Sequence, residues 1–172
     1  MLVLNQPEYQ GIKKVISGGQ CGADFGGLLA AEALGIPTGG FIPKGFRTHH
    51  GPRPELGSRF NLVETLDFGY KTRTVKNVKL ADGTIIIATN LGSPGCVLTS
   101  NSCRAFNKPV LPIKLTPAMV ESDMVNLIVE WLTSNLIETL NVAGNRDKIG
   151  NVHETMTVNL LMKSLALVPH NK

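Results

Sequence analysis

The chain has 172 residues, 42% of them apolar and 17% charged, as expected of one globular domain with a sizeable core. No apolar run approaches the roughly 18 residues that cross a bilayer, and Asn5, Gln6, Pro7 and Glu8 interrupt the start where a leader would be apolar, so a cytoplasmic protein without a membrane partner is expected. The net charge is +4, but aromatics are only 5% and no stacking platform interleaves with the basic residues, so nucleic acid is not expected as a partner either.

An apolar run over residues 12–16 predicts the first strand. It ends at the adjacent Gly18 and Gly19, and a helix over residues 21–34 follows, stopped by Gly35. Residues 36–42 read as a second strand, in which Gly39 and Gly40 mark a close approach by a ligand. Residues 43–67 hold three prolines and three glycines and read as a long loop, a length usually reserved for function. Its 44–59 stretch collects Lys44, Arg47, Arg53 and Arg59 with His49 and His50, against Glu55 alone. It suits either the capture of a small anion or plain solvation. A helix over 68–81 ends at Asp82 and Gly83, and residues 84–89 form a buried strand. A second glycine-bearing turn (90–95), a helix (96–106) and a short strand (109–114) come next. Thr116 then caps a helix that starts at Pro117 and buries Met124, Leu127, Ile128 and Trp131. Residues 137–143 give a fifth strand, and a last helix carries Val158, Leu161, Met162 and Leu165 at the same spacing.

Strands alternate with helices throughout. The fold class is therefore α/β, a Rossmann-like three-layer sandwich with a mainly parallel sheet of about five to seven strands. Ligands on such sheets bind at the carboxyl ends of the strands, and both glycine turns fall there. The first turn offers Ser17, Gly18, Gly19, Gln20, Cys21, Gly22 and Asp24. Glycines let a phosphate approach the backbone, and a helix start adds partial positive charge; a ligand-free βα turn is the alternative. Asp24 suits a ribose hydroxyl or the first turn of its own helix. Arg73, Thr74 and Asn77 lie on the third helix, with Arg73 and Asn77 on one face. Asn90, Gly92, Ser93, Gly95 and Thr99 form the second turn, and Arg146 follows the fifth strand toward the same edge.

Catalytic patterns are poor. There is no nucleophile elbow and no HExxH, and Asp24 is the only carboxylate inside a glycine turn, so turnover is expected to be slow or absent and no catalytic residue is assigned. Cys21, Cys96 and Cys103 form an odd, sparse set, which argues for free thiols. Cys96 and Cys103 would lie about 10 Å apart along a helix, beyond disulfide reach. No CxxC occurs, and neither a metal site nor a resident cofactor is expected.

Several stretches in order along the chain carry a resemblance: ISGGQCGAD (16–24), GIPTGGFIPKGF (35–46), GPRPE (51–55), RTVKN (73–77), DGTIII (82–87), SPGCVLT (93–99), KPVLPI (108–113) and LNVAGNR (140–146). The chain resembles the circularly permuted YpsA-related branch of the SLOG superfamily, whose members are often labelled molybdenum carriers. The resemblance implies a Rossmann-like sheet, a site for a nucleotide-derived small molecule (ADP-ribose-like or a cyclic nucleotide signal), and a homodimer or homotetramer. The chain departs from the family pattern at Cys21, where Thr is usual, at Phe25, where Arg is usual, and at His50, where an acidic residue is common. The lonely-guy phosphoribohydrolases of the superfamily carry a glutamate on the helix after PGGxGT; here Thr99, Ser100 and Asn101 stand in that region. The expected function is thus to bind the nucleotide derivative as carrier, sensor or sequestering protein. A nucleotide N-glycosidic or phosphoester hydrolase and a carrier of the molybdenum cofactor are the alternatives.

Overall fold

In chain order the computed structural model contains β1 (Lys14–Ser17), α1 (Ala23–Ala33), β2 (Thr38–Ile42), a 3-10 turn (Lys44–Phe46), β3 (Arg47–Thr48), β4 (Gly51–Pro52), α2 (Glu55–Phe60), β5 (Leu62–Glu64), α3 (Tyr70–Leu80), β6 (Gly83–Ala88), α4 (Pro94–Ala105), β7 (Val110–Lys114), α5 (Glu121–Ser134), β8 (Thr139–Gly144) and α6 (Val152–Leu165). It describes residues 9–170. The expectation about residues 5–8 lies outside them.

Six strands form a wholly parallel sheet in the order β5-β2-β1-β8-β6-β7. Parallel strands are covered on both faces, so they read as continuous apolar runs. β6 is such a run, buried at every position. Alternation along it sorts the two helix layers. Ile85 and Ile87 join a core with residues of α1, α5 and α6, whereas Ile86 and Ala88 pack with Cys96 of α4. In β2, Ile42 packs with Phe25 and Leu28 of α1, while the Phe41 ring lies under Lys76 of α3. α1 and α3 therefore cover opposite faces. Glycines let α1 come close to its neighbours: a side chain at Gly26 would meet Glu154 and Thr157 of α6, and one at Gly27 would meet Val142 of β8.

Three expectations are corrected. Residues 43–67 are not a loop. They contain the short β3–β4 hairpin, the helix α2 and the edge strand β5, which pairs with β2. Leu56, Phe60 and Leu62 bury completely or nearly so against Phe25, Leu28 and Ile42; three anchors in seven positions are too few to show a period in the sequence. α5 begins at Glu121, not Pro117, because Thr116 to Val120 form a turn in which the Met119 N–H donates to the Thr116 carbonyl. Its buried face is Val125, Ile128 and Leu132; Met124 and Trp131 are half-buried and pack against the same core, and Leu127 is exposed. In α6, Leu161 and Leu165 are buried as expected, joined by Leu160 and the small Thr157 and Ser164, while Val158 and Met162 are half-buried.

Asn77 is also placed differently from its expected role at the ligand. Its side chain faces β2, where Oδ1 accepts the Phe41 N–H at 2.8 Å and Nδ2 donates to the Phe41 carbonyl at 3.0 Å. It fastens α3 to the sheet through both backbone groups of one residue. Asn77→Ala strands a buried donor and acceptor, and we expect it to lower stability by about 2–4 kcal/mol in urea unfolding.

Candidate functional site

The carboxyl ends of β1, β8 and β6 open into a cavity of about 1080 Å³. Its walls are the turns after those three strands, together with side chains from α3, α4 and α6.

The first turn closes around its own carboxylate. Asp24 is buried, its Oδ2 lies 2.8 Å from Arg73 Nη1, and it accepts the Gln20 N–H at 3.4 Å. Burial pushes the Asp24 carboxyl above its ordinary value; Arg73 and the backbone N–H groups of Gln20 and Gly18 oppose that rise. A side chain at Gly18 would overlap the Arg73 guanidinium, so glycine is required there for the pair to form. Three other amides of this turn are also engaged. Gly19 N–H donates to Ser17 Oγ at 3.2 Å, Cys21 N–H to Gln20 Oε1 at 3.1 Å, and Ala23 N–H to the Asn145 carbonyl at 3.1 Å. The Asp24 carboxylate thus takes the Gly18 and Gln20 amides of this turn.

The second turn is different. Asn90 Oδ1 accepts the Gly92 N–H at 3.0 Å, and Ser93 enters α4 in an extended conformation with Pro94 in the first turn. Ser93 provides no side-chain cap; its Oγ instead accepts from Asn145 Nδ2 at 3.0 Å. The first amide to bond back into the helix is Val97, to the Ser93 carbonyl at 3.0 Å. The Gly95 and Cys96 amides precede it, at the positive end of the helix dipole. A Cβ at Gly95 would meet nothing within 4 Å, so the backbone there is open to the cavity. Thr99 turns its hydroxyl back to the Gly95 carbonyl at 2.9 Å.

Of the residues picked out in the sequence, the cavity brings together Gln20, Asp24, Arg73, Thr74, Asn90, Gly92, Ser93, Gly95, Thr99 and Arg146. Ser17, Gly18, Gly19, Cys21 and Gly22 shape the first turn without lining the cavity, and Gly39 and Gly40 lie inside β2, against the Lys14 side chain and the Ser17 backbone. Lys44 stands over the Phe68 ring, 5.4 Å from its centroid. The side chains of the basic stretch are engaged separately. Arg53 pairs with Glu55 at 2.8 Å, Arg59 with Glu32 at 2.7 Å, and Arg47 lies on Tyr70.

The cavity residues that escaped the sequence reading include Thr89, Asn145, Asp147 and His153. Asn145 joins the turns, since Oδ1 accepts the Asn90 N–H at 2.9 Å and Nδ2 donates to the Asn90 carbonyl at 3.1 Å. Asp147 Oδ1 accepts from the His153 N–H at 3.0 Å and lies 2.7 Å from its Nδ1, while Oδ2 accepts the Glu154 N–H at 3.0 Å. An aspartate shortly before an apolar helical run is a legible helix-start signal. The approach of His153 Nε2 to Thr89 Oγ1, at 3.0 Å, joins residues far apart in sequence and has no such signal.

A wholly parallel sheet between two helix layers, with glycine-bearing turns around a polar cavity at its carboxyl edge, defines a Rossmann-like α/β protein. The chain belongs to the circularly permutated YpsA SLOG family, whose model matches residues 15–165. Its fold is similar to a crystal structure named "Putative molybdenum carrier protein" from Syntrophus aciditrophicus SB, with 37% identity, a TM-score of 0.83, and coverage of 91% of this chain and 96% of the other. No curated protein matches. The family accords with the motifs quoted above, and the placement of the last strand, β8, in the middle of the sheet accords with its description as permutated.

The Asp24–Arg73 pair generates a stability prediction. Removing one member of a buried pair leaves the other charge without compensation. Arg73→Met is expected to lower stability by about 3–5 kcal/mol, and the Asp24→Leu/Arg73→Met double variant by less than the sum of the single variants. In Arg73→Met the folded-state Asp24 carboxyl loses the main influence opposing its rise. A raised carboxyl favours the folded state at pH below its unfolded value, and that contribution is lost as pH rises through the folded value. The deficit of Arg73→Met should therefore shrink on acidification, read from urea unfolding across pH.

Proposed function

We propose that this protein binds a nucleotide-derived small molecule, of the ADP-ribose-like or cyclic nucleotide kind, and acts by holding it as a carrier or sequestering protein. The observation that carries this reading is the second turn. The backbone at Gly95 opens α4 toward a cavity of about 1080 Å³, large enough for a nucleotide. Arg146 and Lys148 line the same cavity, and neither takes part in an ion pair among the described residues. Helix N-termini and cations of this kind suit phosphate. Family membership supports a nucleotide-related ligand. Asp24 is committed to Arg73, which favours holding the ligand over cleaving it.

The similar structure named as a molybdenum carrier supports a second reading, in which the cargo is a molybdenum species. Among the described residues no three His, Cys, Asp or Glu side chains cluster to hold a metal ion. The same helix start and cations would suit molybdate or a pterin phosphate, both anions.

Calorimetry against mono-, di- and cyclic nucleotides, molybdate and a pterin phosphate tests the two readings. Arg146→Ala should weaken nucleotide binding by roughly 10- to 150-fold, the loss of one charge-assisted hydrogen bond. Cys21→Ser should change it by less than about threefold, because the Cys21 thiol faces the Asp147 carbonyl at 3.2 Å and not the cavity. Silence toward every nucleotide would reject the first reading.

We also propose a homodimer or homotetramer working in the cytoplasm. Val63, Leu66 and Phe68, exposed beside the edge strand β5, support self-association. The free thiols of Cys21, Cys96 and Cys103 support a reducing compartment. Sedimentation should give a mass of two or four chains, and Leu66→Glu should reduce it.

A further inference from the structure

A second chemistry lies on the wall of the same cavity. Thr89 follows directly on β6 and is exposed, although every residue of the strand itself is buried. Its Oγ1 lies 3.0 Å from His153 Nε2, and His153 Nδ1 lies 2.7 Å from Asp147 Oδ1. Both Asp147 oxygens are fixed by amides of the first turn of α6, from His153 and Glu154, each at 3.0 Å. A carboxylate accepts only, so the network assigns the ring proton to Nδ1 and leaves the Nε2 lone pair for the Thr89 hydroxyl. Asn145 Oδ1 is the other acceptor near that hydroxyl, but it is farther, at 3.4 Å, and already accepts the Asn90 N–H. Hydroxyl, imidazole and carboxylate thus stand in the order of an activated nucleophile, its base and the group that orients the base.

We propose that Thr89, His153 and Asp147 form a hydrolytic triad acting on carboxylic esters with a small apolar acyl group. This goes beyond nucleotide holding and does not rest on it. Two features of the cavity fit the substrate class. The Gly95 backbone at the start of α4 lines the cavity and offers an oxyanion the positive end of that helix. Leu98 lines the cavity, and the exposed Ile149 and Val152 stand at its rim, apolar side chains for the acyl chain to meet.

The steps balance without any co-reactant except water. The Thr89 proton moves to His153 Nε2 as Oγ1 bonds to the ester carbonyl carbon, and the carbonyl π pair moves onto oxygen. Collapse expels the alcohol oxygen, which takes the proton from Nε2 and leaves an acyl-Thr89 ester. Water then gives a proton to Nε2 and bonds to the acyl carbon, the bond to Oγ1 breaks, and Oγ1 regains its proton. The net change is ester plus water to acid plus alcohol. His153 is the base and then the acid, and Asp147 is a positioning residue.

The test treats the full chain with an alkyl fluorophosphonate and with p-nitrophenyl butyrate. Mass spectrometry should find the phosphonyl adduct on Thr89, formed by an Oγ1–P bond with loss of fluoride. Thr89→Ala and His153→Gln should each lower labelling and ester turnover at least about 100-fold, and Thr89→Ser should restore them to within about tenfold of the parent. Thr89 is exposed, so both of its variants should melt as the parent does. Asp147→Asn should lower the saturating labelling rate at least about tenfold with little change in the probe concentration at half-saturation. An adduct on another residue, no adduct, or full activity in Thr89→Ala would overturn the triad. Calorimetry with nucleotides on Thr89→Ala separates the two readings, because unchanged binding with lost labelling leaves nucleotide holding intact. A parent chain that labels at Thr89 but binds no nucleotide would reject nucleotide holding alone.

Discussion

The buried ion pair between Asp24 and Arg73 is the constraint from which the geometry of the cavity follows. α1 carries the acid and α3 the base, and these helices lie on opposite faces of the sheet. The pair therefore ties the two helix layers together around the carboxyl end of β1. It also fixes the first turn, since Gly18 must lack a side chain for the guanidinium to pass and the Gln20 amide must face the carboxylate. Burying two charges is costly and is offset only when the geometry and the added hydrogen bonds are good. Here backbone amides complete the shell on the acid side. Among the described residues Arg73 Nε is buried without a hydrogen-bond partner, so the shell on the base side is less complete.

With the Asp24 carboxylate engaging amides of the first turn, the second and third turns supply most of the cavity wall. The position of β8 between β1 and β6 is decisive for this. It brings the segment after β8 against both glycine turns at once. The Asn145 carbonyl accepts from the start of α1, and the Asn145 side chain holds Asn90 and Ser93. Asp147 starts α6 and orients His153 toward Thr89. One short segment thus organises three helix starts around a single cavity. Glu154, beside Asp147, has its carboxyl pushed up first by burial and then by that neighbouring charge, so the third turn is a place where acids are crowded.

The two chemistries argued for the cavity share the backbone that opens α4 and otherwise use different parts of it. Anion holding draws on backbone amides and on the exposed cations Arg146 and Lys148, which need no fixed partner. The triad draws on side chains whose positions are set by hydrogen bonds on both sides. Its base is held by a carboxylate that is itself held by two amides. That difference explains why the first kind of site can be suspected from glycines and basic residues, while the second depends on distances that only the fold supplies.

Much of the architecture was legible in the residues themselves. β6 is a continuous apolar run, Gly35 stops a helix, and Pro94 stands in the first turn of another, so strand–turn–helix units and a parallel sheet follow from local chemistry. The edge bearing the site followed too, because glycine turns after parallel strands must lie there. What local chemistry left open was which polar groups satisfy one another. Asp24, Arg73 and Asn77 carry the residue types of a ligand site, and the sequence holds no sign that Arg73 meets Asp24 or that Asn77 meets the backbone of Phe41. Likewise, nothing near Thr89 announces a histidine 64 positions on. Sequence period and turn chemistry act within a few residues, and they determined the elements and their order. Partnership between buried polar groups is settled by strand order and helix packing, and only the tertiary structure decided it.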